Sequence, residues 1–229
     1  MSNNKILSVI LFVTVSLVGL HECVNAQVYR NVTEGSDRLT IRAKNSGAEI
    51  SGNPYLFDKW LPTKVTFADG SAPTEKEAKF DALEGVLVIK GPNQTEQVFS
   101  SPVASFSMQV GNQWLNYACG FKGKQLEEKD FVQILFKGKK VAFYKAERKG
   151  IVESKSYNSP TVTQKIDSQT HYYIQLEPNN NTLQWLKRDQ KSILAALNRP
   201  ELEAYVKSNK PNFKKDEDLA QLLTYFDSL

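Results

Sequence analysis

The sequence predicts an α+β fold: mainly an antiparallel β meander, as a sandwich or half-barrel, followed by a short three-helix C-terminal segment. Three observations carry this. From Arg38 to about Trp185 apolar and polar residues alternate with period two, the mark of half-buried strands. Near Asp189 the period lengthens to about 3.6, the mark of amphipathic helices. The links between strands are short, which favours antiparallel neighbours, because parallel strands need long crossovers.

The first element is a leader. Lys5 supplies a small positive region, Ile6 to Leu20 is uninterrupted and apolar, and Val24-Asn25-Ala26 places small side chains where a signal peptidase cuts. The apolar run is shorter than the roughly 20 residues of a membrane-spanning helix, so a cleaved signal is expected rather than an anchor. Glu22 before Cys23 is too long and charged for lipoprotein processing. The expected division is therefore a signal peptide over 1–26, a β-rich domain over 27–188 starting at Gln27, and a helical segment over 189–229 packed on the sheet.

Within the β-rich part, Leu39-Thr40-Ile41-Arg42-Ala43 alternates, and Val65-Thr66-Phe67 ends at the turn signal Asp69-Gly70. Val86 to Ile89 runs into Gly91-Pro92-Asn93, and Gln97-Val98-Phe99 is separated by Pro102 from Ser105 to Val110. Val132, Ile134 and Phe136 lead through Lys137-Gly138-Lys139-Lys140 to Val141, Phe143 and Lys145, a hairpin in which glycine eases the reversal. Tyr172 to Leu176 meets Thr182 to Trp185 across Pro178 to Asn181 in a second hairpin. Then Ile193, Leu194 and Leu197 mark a first helix, stopped by Asn198-Arg199-Pro200. Leu202, Tyr205 and Val206 mark a second, and Leu219, Leu222, Leu223 and Phe226 a third, with Asp216 as its expected cap.

Several of these stretches resemble a family of small uncharacterised secreted proteins of Bacteroidetes. The likeness rests on Gly52-Asn53-Pro54-Tyr55-Leu56-Phe57-Asp58-Lys59-Trp60, Val65-Thr66-Phe67-Ala68-Asp69-Gly70 and Lys79-Phe80-Asp81-Ala82-Leu83. It extends to Val103 to Phe106, Tyr205 to Lys210, and Asp218-Leu219 through Tyr225 to Leu229. The resemblance implies export in a two-membrane bacterium and brings no functional residues.

Composition narrows the chemistry. The chain is 41% hydrophobic and 24% charged, ordinary globular material with residues enough for a sizeable core. Its net charge of +4 is mild, and acidic and basic residues are intermixed, so no nucleic-acid partner is expected. Once Cys23 leaves with the signal, Cys119 is expected to be a small buried apolar side chain, and the domain to be held by its core. His171 alone among mature residues offers an imidazole and no Gly-x-Ser-x-Gly elbow accompanies it, so neither a hydrolase triad nor a His/Cys metal site is expected. No phosphate loop, EF-hand or dinucleotide fingerprint occurs, and no cofactor is expected.

What remains are surface features. Glu127, Glu128 and Asp130 read as a solvated turn, and Asp216, Glu217 and Asp218 as favourable charge at a helix N-terminus. Lys137, Lys139 and Lys140, and Lys207, Lys210, Lys214 and Lys215, keep turns soluble or contact anionic lipid or polysaccharide. Tyr55, Phe57 and Trp60 anchor the core or form a ligand platform. Asn31, Asn93 and Asn180 begin glycosylation sequons that a bacterial exporter would not use.

The expectation is an exported, non-enzymatic cell-envelope protein, secreted or periplasmic, binding a lipid, polysaccharide or protein partner, with no transmembrane segment after cleavage and no catalytic or metal residues. Its alternatives are a β-shell carrying an apolar ligand, or a carbohydrate-active enzyme using two carboxylates.

Overall fold

A computed structural model describes residues 39–41, 50–155, 162–178 and 180–229; the expected leader, Cys23, Gln27 and the Asn31 sequon lie outside them. Its first six strands are β1 (Leu39–Ile41), β2 (Ile50–Ser51), β3 (Leu61–Phe67), β4 (Thr74–Asp81), β5 (Val86–Lys90) and β6 (Glu96–Phe99). The next seven are β7 (Val103–Val110), β8 (Gln113–Ala118), β9 (Lys122–Gly123), β10 (Val132–Lys137), β11 (Val141–Lys155), β12 (Val162–Leu176) and β13 (Thr182–Leu186). Helices α1 (Gln190–Leu197), α2 (Glu201–Asn209) and α3 (Asp216–Ser228) close the chain. The fold is thus α+β, mostly antiparallel, with the helices last.

The strands form one open sheet in the order β1-β6-β5-β4-β3-β7-β8-β10-β11-β12-β13-β9, with β2 beside β12. Only the short β2 and β9 pair in parallel. One link dictates the shape. Ser100-Ser101-Pro102 joins β6 to β7, yet β5, β4 and β3 lie between those strands. Four strand spacings in a flat sheet span about 19 Å. The four Cα–Cα steps from Phe99 to Val103 reach at most about 15 Å. The sheet must curl, and it does: the Phe67 and Phe99 rings, from β3 and β6, meet edge to face at 5.1 Å.

Inside the curl lies an aromatic core. Phe106 stacks on Tyr117 at 4.7 Å and touches Phe80 and Phe131 at 5.3 and 5.0 Å, with Val65, Leu87, Ile89 and Met108 filling around them. Each such side chain contributes roughly 1.5–3 kcal/mol by leaving water. On the outer side of β5 and β6, Val86, Val88 and Val98 lie under Tyr55 and Trp60.

The second half of the sheet is sandwiched. Val141 and Phe143 of β11 and Ile174 of β12 face the helices, where Leu197, Leu202, Leu222 and Leu223 meet them. Ala142, Tyr144 and Tyr173, pointing the opposite way, pack with Leu126, Val132 and Leu183. Period-two alternation in one hairpin therefore serves two cores.

Four elements were not legible in the sequence. β4 reads Thr-Glu-Lys-Glu-Ala-Lys-Phe-Asp, rich in helix formers, and becomes a strand because β3 and β5 pair on both its edges. β8 has one exposed side for most of its length, and β2 and β9 are two residues each. Strands β11 and β12 also run to 15 residues, well past the apolar segments that signal them.

The caps differ in one place. Asp189 caps α1, accepting from the Ser192 amide at 2.8 Å, and Asn198 ends that helix in the left-handed region at φ 46°. Asp216 does not cap α3: Lys215 holds that position, and the Asp216 carboxylate is drawn to Arg188 instead. Arg188 also donates from Nε to the Phe213 carbonyl at 2.8 Å and lies over the Tyr172 ring, riveting α3 to the sheet.

At the other end of α3, Asp227 accepts from the Lys139 and Lys140 amides at 2.9 and 2.6 Å, in the β10–β11 turn. Gly138 does not adopt a positive φ, so turn geometry is not what requires glycine. A Cβ there would collide with the Asp227 carboxylate. Those amides hold the Asp227 carboxyl below its ordinary value of 3.8. A depressed folded pKa stabilises above the unfolded value, and the gain vanishes as pH falls through the folded one. Asp227→Asn should therefore melt lower than wild type from neutral pH to about pH 4. Below that the gap should narrow as pH falls through the lowered folded-state pKa, in thermal melts followed by circular dichroism; a gap that does not change with pH would refute the clasp.

Candidate functional site

The charged residues left by strand alternation collect where the two halves of the sheet meet. A cleft of about 280 Å³ lies between the β4–β5 turn (Phe80 to Gly85), the Glu127 to Phe131 loop and Glu147 to Lys149 of β11. Each wall is fixed by backbone chemistry. Buried Asp81 accepts from the amides of Leu83 and Glu84, both at 2.9 Å, and Gly85 completes the turn at φ +74°. Asp130 accepts from the Glu127 amide at 2.6 Å. The Lys149 amide donates to the Ala82 carbonyl at 3.0 Å, and its ammonium donates to the carbonyls of Asn53 and Tyr55 at 2.7 and 2.6 Å.

The charges in this cleft are arranged in pairs. Arg148 pairs with Asp130, Lys129 with Glu127 at 2.9 Å, and Lys145 with Glu147 at 2.9 Å. The hydrogen bond and charge of Lys129 hold Glu127 below the ordinary carboxylate range. A general acid would need the opposite, a carboxyl pushed up by burial or by a like charge. The arrangement suits recognition of a polar group better than proton transfer. Arg148 Nε is buried with no acceptor among the described residues.

Tyr117 reaches toward this region from the aromatic core. Burial, aided by the Glu147 charge, raises its phenol well above the ordinary tyrosine value. Among the described residues its hydroxyl has no hydrogen-bond partner, and neither has Oε1 of Gln133, its cross-strand neighbour. Tyr144 is likewise pushed up to about 12 by burial, though its hydroxyl donates to Gln175 at 3.0 Å.

The candidate platform residues are split. Tyr55 and Trp60 share the cover over Val86, Val88 and Val98, and Lys79 Nζ sits 4.7 and 5.2 Å from their ring centroids. Lys79 also pairs with Asp58 at 3.1 Å, and the Tyr55 hydroxyl donates to Glu96 at 2.8 Å. Phe57 is half-buried and outside that cluster. His171 is half-buried opposite Ala146. Of the acidic turn, Glu127 and Asp130 line the cleft while Glu128 pairs with Lys122 at 2.9 Å. Asp218 accepts from the Asn212 amide at 2.7 Å.

Cys119 is half-buried at the end of β8, its sulfur 3.3 Å from the carbonyl oxygens of Val103 and Ala104. It is disulfide-bonded in the full chain, which still carries Cys23; loss of residues 1–26 would return Cys119 to the lone thiol expected of the mature domain. The other cysteine of the sequence is Cys23, outside the described residues. Among the described residues no group of three His, Cys, Asp or Glu is placed to hold a metal ion, and no helix is long and apolar enough to cross a membrane.

The chain matches no protein-family model, no curated protein and no solved structure. Sequence reasoning missed Arg148, Lys149 and the β4–β5 turn as a group, because they converge only through the curl.

An unpartnered buried hydroxyl costs about 1–3 kcal/mol, so Tyr117→Phe should leave stability unchanged or raise it by about 1 kcal/mol in urea unfolding. A loss of more than 1 kcal/mol would show that the hydroxyl is bonded.

Proposed function

We propose that this is an exported, non-enzymatic cell-envelope protein that binds a partner or ligand through exposed sheet surface. Export rests on the leader over 1–26 and on the likeness to secreted Bacteroidetes proteins. Binding rests on one observation, the β11–β12 ribbon. Its strands stay paired in register from Val141↔Leu176 to Lys155↔Val162. Yet none of the described residues between Ala146 and Tyr172 belongs to any of the four apolar clusters. The nine register pairs from Glu147 outward span roughly 30 Å.

A ribbon of two long strands, with only the two-residue β2 beside it, is marginal in water unless something covers it. Here Ile151 faces Ile166 across the strands, Ile50 of β2 lies beside Gln164 on the same face, and Ile151 and Val152 are 45% and 41% exposed. The core gains nothing from these side chains, so a contact outside the body is the economical explanation. An apolar carrier is less well supported, since the rings of Phe80, Phe106, Tyr117 and Phe131 pack the concave side where a ligand would sit.

Replacing residues 151–166 with Asn-Gly, between Gly150 and Asp167, should leave the melting temperature within a few degrees. The same change should abolish the complex trapped by cross-linking in intact cells. Sequencing of the mature N-terminus should begin at Gln27. A product starting at Met1 among cytosolic fractions, or cross-linking indifferent to the ribbon, would overturn the reading.

A further inference from the structure

We propose that the outer face of β3, β7 and β8 is a docking surface for a neutral polysaccharide, with Trp114 as its stacking residue. The inference rests on the binding reading above and narrows it to a ligand class for a second surface.

The curl sends Phe106, Met108 and Tyr117 inward, so the alternate residues of the same strands face out. Register places Lys64, Ser107 and Asn116 in one row across β3, β7 and β8, with Gln109 opposite Trp114 beside it. To one side the outer face is covered by Tyr55 and Trp60, and to the other by Leu126 and Phe121. Between these covers the strip is bare and polar. Trp114 is 37% exposed, and it is the only aromatic among the exposed large apolar side chains of the described residues.

Its neighbours decide what it suits. A protein hot spot sets its tryptophan within an apolar patch, and here the surrounding side chains on the face are hydroxyl, amide and ammonium. A nucleic acid or an anionic membrane needs concentrated positive charge, and Lys64 stands opposite Glu75 on β4. A sugar chain needs a flat aromatic face for its C–H surface and planar amides or hydroxyls for its rim. The strip offers both. Ser107 Oγ donates to Asn116 Oδ1 at 2.7 Å, which orients the amide and leaves its two N–H donors for a ligand. Lys64 Nζ lies over the Trp114 ring, 4.5 Å from its centroid, so a sugar stacking on that face displaces this exposed, flexible ammonium to the rim, where it adds a donor.

Affinity electrophoresis tests this, run toward the cathode because the chain carries a net +4. The gels hold soluble hydroxyethyl cellulose, laminarin, mannan, galactomannan or dextran. At least one polymer should retard the wild type, Trp114→Ala should remove the retardation, and Asn116→Ala should weaken it several-fold. Both variants should stay folded, with melting temperatures within a few degrees of wild type, since Asn116 is exposed and Trp114 belongs to none of the apolar clusters. The ribbon-shortened protein retains Trp114 and should be retarded like wild type, so failure of this surface and failure of the ribbon contact read out separately. Absence of retardation by every polymer, retardation that survives Trp114→Ala, or its loss on shortening the ribbon would each sink the proposal.

Discussion

A three-residue connection governs this architecture. Because Ser100-Ser101-Pro102 is too short to cross a flat sheet from β6 to β7, the first half of the sheet must roll up. Rolling brings Phe67 to Phe99 and closes the concave side around Phe80, Phe106, Tyr117 and Phe131. The same curvature turns the alternate residues outward. On β5 and β6 these are valines, which take a cover from the Asn53 to Trp60 segment; on β3, β7 and β8 they are mostly polar, Trp114 apart, and take none.

The β11–β12 hairpin is the second organising element. Where it passes through the body its two faces belong to different cores, one under the helices and one under the Phe121 to Leu126 segment. The helices add little on their own at these lengths. They are held at both ends of α3 by charge, through Arg188 beside Asp216 and through Asp227 on the amides of the β10–β11 turn. Beyond the body the hairpin continues with no apolar cluster of the described residues to serve, and that separation of pairing from packing is the ground for proposing the ribbon as a contact element.

Between the halves, the cleft gathers seven charged side chains and pairs most of them. Lys129 holds the Glu127 carboxyl below the ordinary carboxylate range, which suits orientation and recognition better than proton donation. Lys149 is spent on structure, tying β11 to the carbonyls of Asn53 and Tyr55. This is also where the Tyr55 segment, the β4–β5 turn and the ribbon's base become one unit.

The amino-acid sequence alone determined the fold class, because alternation and helical spacing record which side of each element is buried. Val65, Phe106, Phe143 and Ile174 announce inward faces, and Leu219, Leu222 and Phe226 announce a helix, whatever the topology. Asp189 and Asn198 likewise mark the limits of α1 through local hydrogen bonding and a left-handed residue. Tertiary structure decided the rest, because the deciding forces act between residues far apart in the chain. β4 is a strand only when flanked by β3 and β5, Asp216 turns to Arg188 instead of capping its helix, and Gly138 is required by a carboxylate 89 positions later. The cleft and the bare Trp114 strip exist only because a short link curls the sheet, a constraint of distance that no local pattern of side chains encodes.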